Sequence, residues 1–167
     1  MQGLYFEDIF VNQVFETKEI TVSRADILDF AGTFDPNPFH LDKNAATQLG
    51  FPDIIASGMH TLSLSMKLFF ELKLWDEAIL PSPGLENVRW HRSVFPDTHL
   101  YVKATVRQIL PSTSKPDRGI IKIHQETLDK TTNQALMTVD VMHRLRRRRP
   151  GSNPGSPLQA KEVEDKA

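Results

Sequence analysis

The chain has 167 residues, 20 Lys plus Arg against 21 Asp plus Glu, a net charge of −1 and no cysteine. The missing cysteines exclude disulfide scaffolds, thiolate metal sites and cysteine nucleophiles, and the balanced charge argues against a dedicated nucleic-acid binder. With 40% apolar and 25% charged residues, one domain with a core is expected, burying about 70% of the surface its unfolded chain exposes.

The first residues, Met1 to Asp8, carry no basic stretch followed by an apolar run, so no signal peptide is read there. Residues 9–22 read as an extended segment with poor alternation. Ser23-Arg24-Ala25-Asp26 has capping-box character, with Ser23 as N-cap. Ile27, Phe30, Ala31 and Phe34 follow at helical spacing, which predicts an amphipathic helix over 24–34. Pro36 and Pro38 end it, because a residue before proline is pushed out of the α region. A short helix is expected over 43–48, closed by Gly50, and 53–57 is a linker.

A second kind of helix is expected over 59–75. Met59, Leu62, Met66, Phe69 and Phe70 make one apolar face, and Leu64, Leu68, Leu72 and Trp75 another. A helix apolar on most sides is a buried one. His60, three hydroxyl residues, Lys67, Glu71 and Lys73 interrupt it, so it does not read as a membrane span, which needs roughly 20 mostly apolar residues. The default expectation is a soluble, cytoplasmic protein.

After Pro81-Ser82-Pro83-Gly84 the period changes to two. Leu100, Val102, Ala104 and Val106 alternate with Tyr101, Lys103, Thr105 and Arg107, the clearest strand in the chain. Residues 86–94, 119–128 and 134–145 read as further strands, and Asp129 to Asn133 as the hairpin between the last two. One buried helix and several strands are reconciled most simply by an antiparallel sheet curled around the helix, an α+β architecture. Residues 1–149 form the expected single domain. Arg144 to Arg149 carries five arginines in six residues, followed by a Pro/Gly/Ser-rich stretch. The 150–167 segment reads as a disordered tail, and the arginine run as a charged strand end rather than a localisation signal or anion patch.

Asp35-Pro36-Asn37-Pro38-Phe39-His40 gathers a carboxylate, an amide and an imidazole in one short stretch. Two prolines fix two φ angles. Across such a turn Asp35 and His40 can converge on one water as an acid/base pair, although Asp-Pro and Asn-Pro are also ordinary turn formers. His60 is expected to be a hydrogen-bonded structural residue, and Trp75 and Trp90 core or interface anchors. His91, His99, His124 and His143 are scattered without metal-like spacing, and His40 and Asp42 lack a third ligand, so no metal is expected. The chain has neither a glycine-rich phosphate loop nor a Gly-x-Ser-x-Gly elbow.

The stretch Phe30 to Asp42, with its aromatic, short spacer and Asp-x-Asn-Pro-x-His pattern, resembles the signature of the MaoC-like dehydratases and (R)-specific enoyl-CoA hydratases. Ile55-Ala56-Ser57-Gly58-Met59-His60-Thr61 resembles the opening of that family's central helix. Pro83 to Trp90 and Val94 to Leu100 resemble its later strands. The likeness spans about 5–145. It implies the hotdog fold, a homodimer or larger homo-oligomer, and reversible hydration of an enoyl-CoA to a 3-hydroxyacyl-CoA in fatty-acid metabolism, with no cofactor beyond the coenzyme A thioester. It also implies a role for each residue of the motif. Asp35 and His40 would activate water, Asn37 would fix the loop, and the Gly58 N–H would bind the thioester oxygen with Ser57 beside it. Helix N-terminal N–H groups suit such a developing negative charge. Many relatives have His where Ser57 stands, and Pro96-Asp97-Thr98 lacks the usual turn glycine. Arg89, Arg92 and Arg107 are candidates for the coenzyme's phosphates. A hotdog thioesterase is the competing expectation, but the central helix offers it only Glu71. A non-catalytic acyl-CoA-binding subunit is the third.

Overall fold

Ser23 starts the first helix as the sequence leads one to expect. Its Oγ accepts the Asp26 N–H at 3.1 Å and its hydroxyl donates to the Asp26 carboxylate at 2.6 Å. In this computed structural model, which describes residues 3–148, α1 covers Arg24–Phe34 and stops at Asp35. Two short strands precede it, β1 (Val14–Glu16) and β2 (Ile20–Val22), in place of one extended segment over 9–22. A helical turn, α2 (Pro38–Leu41), then begins on Pro38, where the missing N–H costs nothing. The next helix, α3 (Lys43–Gln48), is capped by Asp42 and closed by Gly50 at φ 88°, a conformation that favours glycine.

The central helix α4 covers Gly58–Phe70. Four long strands follow: β3 (Ile79–Trp90), β4 (Thr98–Pro111), β5 (Arg118–Asp129) and β6 (Ala135–Arg146). All pairings are antiparallel, in the order β1-β4-β5-β6-β3, with β2 also on β4. The curved sheet packs its inner face on α4. Three residues of that helix enter three apolar clusters. Phe69 meets Trp75, Ala104, Val106 and Ile121; Leu68 meets Val22, Ile27, Leu100 and Val102; Leu62 meets Met137, Val139 and Val141. A helix wrapped by a sheet is the α+β arrangement expected from the sequence.

Two elements differ from their expected bounds. The helix expected over 59–75 ends at Phe70. Leu72 and Lys73 tighten into i→i−3 bonds and Lys73 turns left-handed at φ 51°, which swings Trp75 into the core against Phe15 and Phe69. Met59 and Phe70, both read as part of an apolar face, are exposed. Strand β3 begins before the proline cluster and ends at Trp90, not at 94. The cluster fits because β3 is an end strand, and its register to β6 skips from Leu80 to Gly84, so Pro81 and Pro83 owe no ladder hydrogen bond.

The missing turn glycine of Pro96-Asp97-Thr98 leaves Asp97 itself at φ 66°. Its N–H donates to the Val22 carbonyl at 2.8 Å and holds the turn. At the far end, Arg147 and Arg148 lie over the Phe6 and Tyr5 rings, and both reach the acidic 3-10 turn at Phe6–Asp8. Strand β6 has ended at Arg146, so these two arginines lie past the strand and pack against the chain's first turn rather than forming a charged strand end. The tail expected over 150–167 lies outside the described residues.

His143 is fully buried between Phe69, Phe70 and Trp75, and neither ring nitrogen has a partner among the described residues. Burial pulls its pKa from 6.5 to about 4. The unfolded chain therefore binds a proton, as pH falls through 6.5, that the folded chain refuses down to about 4. Stability is full above 6.5 and drops by about 3 kcal/mol across that window. In urea unfolding at pH 7, 6, 5 and 4, His143→Leu should flatten this part of the profile. An unchanged slope would remove His143 as its cause.

Candidate functional site

Asp35 caps α1, its N–H donating to Ala31 O at 3.0 Å. The chain then folds back on itself: Asn37 N–H donates to Asp35 O at 2.8 Å, and His40 N–H to Asn37 O at 3.0 Å. The prolines between these bonds leave little backbone freedom. Asn37 Nδ2 donates to Asp35 Oδ1 at 2.5 Å.

His40 is buried and held from outside its own loop. Its Nδ1 lies 2.6 Å from the Ile55 carbonyl, while the Ile55 N–H donates to Phe39 O at 3.3 Å. A carbonyl only accepts, so Nδ1 carries the proton. Nε2 is thereby turned toward Asp35 Oδ2, 3.4 Å away. That separation is too long for a strong direct bond and leaves both atoms available to a shared water.

Ser57 and Gly58 form the opposite wall. Ser57 is buried, and its Oγ caps α4 by accepting the Met59 N–H at 3.1 Å. Its hydroxyl is also the largest influence holding the Asp35 carboxyl below its ordinary pKa; the neighbouring His40 and the Asn37 amide add to it, against the opposing effect of burial. Asp35 is therefore an anion at neutral pH. Gly58 opens the helix, where a backbone N–H has no acceptor of its own.

A cavity of about 480 Å³ joins these walls and is lined by Asp35, His40, Ser57 and Gly58. The site residues read from the sequence thus meet at one place, with Asn37 bonded behind Asp35. The arrangement brings a carboxylate, an imidazole and the first residue of α4 to one space. Among the described residues, no three His, Asp or Glu side chains come close enough to hold a metal ion.

The reading of His60 changes. His60 does not line this cavity. It stacks on Phe30 at 4.6 Å beside a second cleft, and its buried Nδ1 has no partner among the described residues, so the expected hydrogen bond is absent at that atom. Trp90 is not in the core of this chain: it is 49% exposed on the cavity wall and donates its indole N–H to the Gly58 carbonyl at 2.8 Å. Nothing local marks it in the sequence. Its place follows from where β3 ends against Met137 of β6. Arg92, Thr61 and His91 also line the cavity, whereas Arg89 and Arg107 do not.

The MaoC-like domain family matches residues 9–127. The MaoC-like dehydratase of Rhodospirillum rubrum is 33% identical, covers 88% of this chain and 99% of its own, and superposes with a TM-score of 0.80. YdeM of Bacillus subtilis is 33% identical over 125 residues, 74% of this chain and 86% of its own. The (R)-hydratase PhaJ1 of Pseudomonas aeruginosa, 21% identical over 92% of this chain and 96% of its own, shares the fold with a TM-score of 0.67. The chain belongs to the MaoC-like dehydratase family, and its fold is the hotdog.

Removing the Ser57 hydroxyl should act on Asp35 and on α4 together. In Ser57→Ala, the Asp35 carboxyl should titrate higher than in the wild type, read by carbon-13 NMR of the side-chain carboxyl. The lost cap should lower stability by about 1 kcal/mol. An Asp35 titration that does not move would deny Ser57 its influence.

Proposed function

We propose that this protein is an acyl-thioester hydratase/dehydratase that adds water reversibly across the C2–C3 double bond of an enoyl-CoA. The observation that carries the reading is the pairing of Asp35 Oδ2 and His40 Nε2, 3.4 Å apart, in a cavity that also reaches the first residue of α4. A water between the two side chains gives up a proton to this pair as its oxygen bonds to C3. Electrons move from the double bond toward the thioester oxygen, and the Gly58 N–H and the helix dipole stabilise the charge that develops there. The proton then passes to C2, which yields the 3-hydroxyacyl thioester. Asp35 stays an anion because the Asn37 amide hydrogen-bonds it and the Ser57 hydroxyl and His40 favour its charged form. Asn37 and Ser57 therefore position the base rather than react. No redox group or metal enters this sequence of steps.

Several features support the same assignment. The cavity volume suits the reacting end of a small-molecule ligand. Arg92 on its wall suits a phosphate of coenzyme A. The thioesterase alternative needs a carboxylate on α4, but Glu71 caps the opposite end of that helix and is ion-paired with Lys18 at 2.9 Å. For assembly, β3 is a 12-residue end strand with Leu85 and Trp90 exposed along it. Long open edges pair with further strands, and we assign this one to a second copy of the chain. Light scattering should then give a particle of about twice the 19.0 kDa chain mass.

The reaction is followed by loss of the conjugated enoyl-thioester absorbance over a panel of short, long and branched enoyl-CoAs. Asp35→Asn and His40→Ala should each lower kcat by about a thousandfold, with no free thiol released by the wild type. Variants that keep wild-type rates would sink the site assignment. Thiol release without loss of the double bond would favour the thioesterase.

A further inference from the structure

The geometry points to Trp90 as a positioning residue for the helix-start N–H: its indole clamps Gly58 from the sheet side. This rests on the hydratase reading and adds a residue to it. The indole N–H donates to the Gly58 carbonyl at 2.8 Å. The ring also lies so close that a Cβ on residue 58 would sit 2.7 Å from its Nε1 and Cε2. Gly58 is thus a glycine because of a neighbour, not because of its own backbone angles. The backbone of Trp90 is itself paired with Met137 of β6.

The clamp has a physical purpose. The first turn of a helix is its least constrained part, since its N–H groups lack intrahelical acceptors. Ser57 holds this turn from the chain side through Met59 N–H. Trp90 holds it from the sheet, at the residue whose N–H must meet the thioester oxygen. An exposed tryptophan would be free to swing; this one spends its only donor on the Gly58 carbonyl. Placement errors of about 1 Å at a reacting centre cost up to a hundredfold in rate.

Trp90→Phe keeps most of the ring and removes the donor. Its kcat for enoyl-CoA hydration should fall about tenfold, with KM within about twofold and the pH–rate profile unmoved. The cost of Gly58→Ala should be smaller in a Trp90→Ala background than in the wild type, because the ring it strikes is gone. Equal kcat in Trp90→Phe, or a raised KM at unchanged kcat, would overturn the assignment. A measurement on the unaltered protein guards against misfolded variants. The chain has two tryptophans, so the Trp90 indole N–H signal, the one lost in Trp90→Phe, should exchange slowly in NMR, and fast exchange of that signal also overturns it. A wild type with no hydratase turnover would instead remove the underlying reading, even with that indole signal slow.

Discussion

A reciprocal pair of hydrogen bonds sets the whole site. Ile55 N–H donates to Phe39 O, and His40 Nδ1 donates to Ile55 O at 2.6 Å. These two bonds fasten the proline-braced loop to the segment that leads into α4. Ala56 N–H then donates to Val94 O at 2.8 Å, which fastens the same segment to the β3–β4 connection. Three stretches far apart in sequence are thus held in register by main-chain groups near the point where their side chains meet. The imidazole takes part as a structural donor at one nitrogen, and that frees its other nitrogen to face Asp35.

The electrostatics follow from that placement. Asp35 sits beside the cavity with 27% of its side chain exposed, so burial raises its pKa only against stronger opposing influences. The Ser57 hydroxyl, His40 and the Asn37 amide all favour the anion. Ser57 is the economical choice among these, since one Oγ serves both the carboxylate and the helix cap. A neutral hydroxyl there favours the charged carboxyl without itself titrating. By contrast, His60 and His143 are pushed toward the neutral form by burial. Both lie outside the cavity, on the core side of α4 or against α1.

Much of this was legible in the sequence because its causes are local. Ser23, Pro36 and the spacing of Ile27, Ala31 and Phe34 define α1 within its own turn. The alternation of Leu100 to Val106 marks β4. Asp35, Asn37 and His40 lie close along the chain, so the loop that joins them is written in consecutive residues. What was not legible depends on partners elsewhere. The end of α4 at Phe70 is set by the core's demand for Trp75. The prolines in β3 are tolerated only because that strand ends the sheet. Asp97 turns left-handed because the Val22 carbonyl awaits its N–H. The unbonded Nδ1 of His60 likewise follows from the company Phe30 provides, not from the residue itself.

Gly58 shows why a motif and its reason are read at different levels. The resemblance gives Gly58 as the glycine at the opening of the central helix, and α4 does begin there. The force that requires glycine comes from Trp90, 32 residues away. The same is true across the site. Each site residue is local to a short stretch, while the contacts that bear on it arrive from another element: Ile55 for His40, Ser57 for Asp35, Trp90 for Gly58. Such a division lets the loop and helix start stay short and open to a substrate. Rigidity, which a small loop cannot generate from its own contacts, is imported from the sheet and from the segment that enters the buried helix.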